Sequence, residues 1–431
     1  MLRGCIRILI LVSLFSGVFK PSLYPQPWGG VGAFISDPSQ VWDKENLEAR
    51  LSYRQLFTAT LEELERFRER VVTQRNGGGR VKVSTERANG AVYLLFLNET
   101  FGVFPLYSAG SWILKKDGKT GALTQVKIFY RTEPGCYIRL FPRGTRTLMD
   151  VYLFDSLLYK AVPLGMSLSV LLTESFQQIV DRTRPTVDWS ILLQQPDPRA
   201  YASLLTMIQK IRRELPNLPD AEDGAMDKNG KLVFIANLRA QERLPGFNCS
   251  GFAKWVADGL YKPRTGEYLD IEALKEKHLT RRGSRITNRF EEDRDPFFGL
   301  DWTRNIARYL AGVTEPEQQD VRHVPFWEYR EDVGYPIEEL EGILYTLAVQ
   351  EGGNFYLGSI NREYGTDPVL RQHVHVVVLF PYFTEKGEFR VAVFERNVET
   401  GLSILKKNFK GNFIHLVRVK ADPLFDPPRI E

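Results

Sequence analysis

A chain of 431 residues is too long for one ordinary hydrophobic core and implies two or three domains. With 43% hydrophobic and 26% charged residues it lies far from the composition of a disordered chain, and 57 basic against 53 acidic side chains leave a net charge of +4, so composition implies no polyanion-binding surface and no nucleic-acid partner. Three cysteines and five histidines show no zinc-ligand spacing, which implies no metal site, and nothing points to a cofactor.

In chain order, Arg3 and Arg7 precede an apolar stretch from Ile8 to Phe19. That charged-then-apolar order is the pattern of a secretory signal and predicts export to the periplasm or cell envelope. The stretch is shorter than the roughly 20 residues of a spanning helix. It also lacks a small-residue cleavage site, so residues 1–20 read either as a signal sequence or as a retained anchor giving membrane association. Residues 21–79 then read as a helical N-terminal segment: after Pro21 to Pro27, the spacing of Leu47, Leu51, Leu61, Leu64, Phe67 and Val71 predicts one amphipathic helix over 44–73, ended by Asn76 to Gly79.

Residues 80–165, rich in Val, Tyr, Phe and Ile with turns at Asp117-Gly118 and Pro134-Gly135, predict a small antiparallel β domain in which Cys136 is a packed residue. A Cys136–Cys249 disulfide is the other reading of that thiol. Residues 166–219 return to helical spacing, with helices predicted over Ser167–Thr183 and Arg199–Glu214 as a connector, and Asp220 to Gly230 form a loop or turn. The run Arg281, Arg282 and Arg285 is followed by Glu291, Glu292 and Asp293 and reads as a solvated mixed-charge loop.

The chemistry lies in the stretch from Pro245 to Gly259. Asn248 is a helix cap, Phe252, Trp255, Val256 and Leu260 form one apolar face, and Gly259 predicts the far end. Cys249 then sits in the first turn, where unsatisfied N–H groups and the positive helix end favour thiolate over thiol. The same N–H groups, at Asn248, Cys249 and Ser250, could hold an oxyanion.

Asn248-Cys249-Ser250-Gly251-Phe252 followed by Trp255 resembles the Asp-Cys-Ser-Gly-Phe/Leu signature of NlpC-type papain-fold peptidases. Gly353-Asn354-Phe355-Tyr356-Leu357 is similar to the Gly-Asp strand that precedes the histidine strand of that family, and His373-Val-His375-Val-Val is similar to the histidine strand itself. Alternation places both histidines on one face. A turn at Glu385 to Gly387 makes a hairpin in which Thr384 pairs with Glu388, setting Glu395 opposite Val377 and Asn397 opposite His375. Two base-and-partner pairs follow from the family's geometry: His375 with Glu395, which is favoured, or His373 with Asn397. The interval from Cys249 to the histidines is longer than in compact members, so residues 262–336 read as an insertion. Gln241 and Arg243 are the nearest upstream candidates for the polar oxyanion residue of papain-like enzymes. His278, His323 and His415 stand singly and receive no role.

The resemblance implies an α+β fold: a papain-like NlpC-type catalytic domain over 220–431, behind the small antiparallel β domain and helical segments. It further implies a cysteine hydrolase cleaving an amide in cell-wall peptide through a thioester acyl-enzyme, with peptidoglycan or another peptide as substrate. A papain-fold amidase or acyltransferase is a second reading. A non-catalytic envelope binding protein that keeps the fold is a third.

Overall fold

The computed structural model describes residues 45–75, 79–194, 196–278, 299–314, 316–331, 333–364 and 370–430. The Ile8–Phe19 stretch, the Asn76–Gly78 part of the expected stop and the arginine-rich run lie outside them. Among the described residues no helix is long and apolar enough to cross a membrane. The protein is mixed α+β with antiparallel sheets, and it divides into two compact units, Met1–Gln195 and Pro196–Glu431. The division falls within the stretch read as a connector.

In the first unit the single helix expected over 44–73 is broken into α1 (Leu47–Ser52), a 3-10 turn (Arg54–Phe57), α2 (Leu61–Arg66) and strand β1 (Arg70–Thr73). The reason is local. Thr60 accepts the Glu63 N–H while the Glu63 carboxylate takes the Thr60 N–H, a capping box that starts a new helix in mid-pattern. Phe67 is extended, and Val71, counted in the helical stripe, is half exposed on an edge strand. An eight-stranded antiparallel meander follows in simple order from β1 through β2 (Arg80–Ala88), β3 (Ala91–Asn98), β4 (Trp112–Asp117), β5 (Leu123–Phe129), β6 (Tyr137–Arg143), β7 (Arg146–Leu153) and β8 (Ser156–Pro163). Every residue of β3 is buried, so both faces of the sheet are covered there. Asp117 Oδ1 accepts the N–H groups of Lys119 and Thr120 and fixes one expected turn. Cys136 is buried and no disulfide joins it to Cys249; both are free thiols. The unit closes with α3 (Leu168–Leu171), α4 (Phe176–Thr183) and α5 (Trp189–Leu193), so the first connector helix is interrupted where Ser175 caps a new start.

The second unit opens with α6 (Ala202–Glu214) and a hairpin of β9 (Gly224–Met226) and β10 (Leu232–Phe234), turned at Asp227–Gly230. Helix α7 (Cys249–Thr265) follows, and it runs through Gly259 rather than ending there. Gly266, in the left-handed region, is the true terminus. Gly259 has a packing role instead. The Phe425 ring lies where a Cβ would project, and the Asp426 N–H donates to the Gly259 carbonyl. Gly259→Ala should therefore cost about 1–3 kcal/mol through overpacking, read as a lower urea midpoint; an unchanged midpoint would contradict this.

The described part of the stretch read as an insertion, 262–336, packs into this unit. Beyond α8 (Ile271–Leu274), helix α9 (Leu300–Ala311) packs on α7 and on the main sheet, and Trp302 is fully buried. That six-stranded antiparallel sheet has the order β11 (Tyr335–Pro336), β16 (Phe413–Lys420), β12 (Asn354–Tyr364), β13 (Leu370–Phe383), β14 (Phe389–Glu395), β15 (Val398–Thr400). Helices α10 (Leu340–Gln350) and α11 (Leu402–Asn408) complete the unit.

Candidate active site

Helix α7 is pinned at its first turn. The Asn248 side chain accepts the Gly251 N–H at 2.7 Å, and the Asn248 N–H donates to the Gly224 carbonyl of β9 at 3.0 Å. A Cβ at Gly251 would strike the β9 backbone, which explains the glycine two residues after Cys249. From the other side the Trp302 indole N–H donates to the Ser250 carbonyl at 3.1 Å. The N–H groups of Cys249 and Ser250 precede the first intrahelical bond, from Phe252 N–H to Asn248 O. The Cys249 thiol is thus held by three rigid contacts around it and remains partly exposed.

The hairpin of β13 and β14 has the expected register: Val378 pairs with Phe394 and Phe383 with Phe389. Strict alternation for the two histidines, however, is broken. His373 pairs with Asn361 and His375 with Ile360, leaving Val374 as the extra residue of a β-bulge that re-aims its neighbours. Both imidazoles come within hydrogen-bonding reach of the Cys249 thiol. His375 Nε2 lies 3.1 Å from Glu395 Oε2, although its N–H is not directed along that line, a looseness common in unliganded sites. Thr400 Oγ1 donates to Glu395 Oε1 at 2.6 Å. Phe409 stacks on the His375 ring at 5.4 Å between centroids and 15° between planes.

His373 takes a different partner from the one expected. Its Nδ1 is 3.4 Å from Ser359 Oγ, whereas Asn397, in the turn after Glu395, has a buried carboxamide oxygen without a hydrogen-bond partner. The His375–Glu395 pair is formed and the His373–Asn397 pair is not. Gln241 is likewise not an oxyanion donor. Its Nε2 donates to the carbonyls of Val233 and Gly246 and its Oε1 accepts the Gly246 N–H, so the amide is spent on shaping the loop before Cys249. Arg243 is exposed on that loop.

Electrostatics follow from this packing. Burial pushes the Cys249 thiol up, but hydrogen bonds to His373 and His375 and the attraction of the same rings outweigh it and hold the thiol well below its usual range. Burial pushes His375 down, but its contacts with Cys249 and Glu395 prevail and raise it to about 9. Burial also raises Glu395, yet His375 and Thr400 leave it lowered overall. The favoured state is a thiolate beside an imidazolium beside a carboxylate.

Three residues of the site escaped the sequence: Ser359, Thr400 and Phe409. Thr400 could have been found from the tight Arg396-Asn397 turn that brings β15 back beside Glu395. Nothing local marks the other two. His415 is part of a separate buried cluster, with Nδ1 2.9 Å from Tyr329 Oη and Nε2 3.2 Å from Asp320 Oδ1, where Arg304 also bonds Asp320. Among the described residues no group of His, Cys, Asp or Glu is placed to hold a metal ion.

No curated protein and no solved structure matches the chain. Residues 40–191, which fall in the first unit and not in the unit that carries Cys249, match the model of a family described as a domain of unknown function (DUF8515).

Proposed function

We propose that this protein is a papain-like cysteine hydrolase of NlpC type that cleaves an amide bond in a peptide, with cell-wall peptide as the substrate class. One observation carries the reading: a thiol at the first turn of a helix lies against His375, whose far nitrogen faces Glu395. The Glu395 carboxylate can only accept, so it favours a proton on His375 Nε2 and leaves Nδ1 for the thiol. His375 takes the Cys249 proton, and the thiolate attacks the amide carbonyl. The C–N bond breaks as His375 returns that proton to the leaving amine. Water then gives a proton to the same nitrogen and hydrolyses the thioester. The helical first turn supports the oxyanion through the Cys249 and Ser250 N–H groups.

The peptide substrate and envelope location rest on the family resemblance and on the Ile8–Phe19 stretch. In the test, purified peptidoglycan is incubated with the full chain and with Cys249→Ala, and soluble fragments are resolved by mass spectrometry. The proposal expects stem-peptide fragments from the first and none from the second; equal release from both would refute it. The adduct mass on Cys249 in a quenched reaction separates a peptidyl donor from the lipid donor of an acyltransferase.

A further inference from the structure

Two imidazoles flank one thiol, and a single-base mechanism uses only one of them. Their partners differ in kind. Glu395 beside His375 Nε2 is a pure acceptor, so His375 presents Nδ1 with its lone pair to the sulfur and is fit to be the base. Ser359 beside His373 Nδ1 carries a hydroxyl that can donate, and its side chain is fully buried in the sheet. With Ser359 as the donor to Nδ1, the proton of His373 sits on Nε2, and that nitrogen is assigned to the contact with Cys249. A ring held in that tautomer cannot accept the thiol proton; it can only donate. A β-bulge at Val374 lies between the two histidines on the strand. Gln241 does not supply an upstream polar donor, because its amide group is bound to the carbonyls of Val233 and Gly246.

We propose that His373 is a second catalytic group, donating its Nε2–H to the oxyanion that forms when Cys249 is acylated, with Ser359 as the positioning residue that keeps the proton there. This rests on the cysteine-hydrolase reading. In the step concerned, the thiolate electron pair forms the S–C bond and the carbonyl π pair moves to oxygen. That oxygen is held by His373 Nε2–H and the helical N–H groups. The pair then returns to carbon as the leaving group departs, protonated by His375 if it is an amine. No oxidant, metal or further reactant enters.

Two probes separate the roles. Iodoacetamide alkylates a thiolate by displacement at saturated carbon and forms no oxyanion, whereas p-nitrophenyl acetate acylates it through a tetrahedral oxyanion. Because His373 also helps to lower the Cys249 thiol, the two reactions are compared at the pH where alkylation of each chain reaches its plateau; there His373→Ala should lower the p-nitrophenolate burst about 100-fold while the alkylation plateau stays within about threefold of that of the parent chain. Retained alkylation also reports an intact site. His373→Gln, which keeps an N–H donor near the Nε2 position, should recover about a tenth or more of the lost burst rate. Ser359→Ala should reduce the burst less than His373→Ala and leave alkylation unchanged. Equal loss of both reactions in His373→Ala, or an unchanged burst, would overturn the inference. A burst that survives Cys249→Ala would overturn the hydrolase reading itself, which distinguishes the two failures.

Discussion

On the proposed cysteine-hydrolase reading, His375→Ala should lower turnover of a peptide substrate about 1000-fold. Three losses coincide in that variant. The thiol has no base, the leaving amine has no acid, and burial, which raises the thiol, is no longer opposed by His375. Iodoacetamide alkylation at neutral pH should therefore fall together with turnover. The pH dependence of the parent chain separates these contributions. His375 titrates near 9, so its protonated form, the acid for the leaving amine, is lost as pH rises through that value. Peptide cleavage should decline there, while alkylation, which needs only the thiolate, should not. Initial rates across pH 5 to 10 check this, and parallel loss of both reactions above about pH 9 would contradict the assignment.

Asp320→Ala should be the most destabilising single change away from Cys249, at about 3–5 kcal/mol. Asp320, Arg304 and His415 have fully buried side chains, and Arg304 bonds the carboxylate through Nε and Nη2 while His415 Nε2 lies 3.2 Å away. Removing the carboxylate takes the ion-pair partner from the buried Arg304 guanidinium and leaves His415 without its acidic neighbour. Burial pushes Asp320 up, but His415 and Arg304 more than offset this and hold its carboxyl below the usual range. A carboxyl lowered in the folded state stabilises above its unfolded pKa and loses that contribution as pH falls through the folded value. The deficit of the variant should accordingly be full at neutral pH and shrink in acid. Chemical denaturation at several pH values measures it, and a loss below about 1 kcal/mol at pH 7 would show that the cluster is dispensable.

Local chemistry made parts of this molecule legible. Asn248 before Cys249 reads as a cap and is one, because that bond closes within four residues. The hairpin register reads correctly because a short turn sets every pair above it, and Glu395 falls out of that arithmetic. Periodicity misleads where local stops or distant packing override it. The 44–73 stripe hid a capping box at Thr60, and Gly259 looked like a terminus although it makes room for Phe425, a residue far along the chain. Alternation placed His373 and His375 alike and could not reveal the extra residue at Val374, since a bulge depends on the partner strand. Ser359 and Phe409 reach the site only through tertiary contacts. Their roles were invisible for the same reason as that of Trp302, whose helix lies in a stretch that looked like an insertion.

The rate at which iodoacetamide alkylates Cys249, as a function of pH, reports whether neighbouring imidazole keeps this residue as a thiolate. Peptide mass mapping assigns each modified cysteine in the full chain. Cys249 should outpace Cys5 and the buried Cys136, with a rate that reaches its plateau well below the pH range in which an ordinary thiol titrates. A rate that climbs only through about pH 8.5, as for an ordinary thiol, would contradict this.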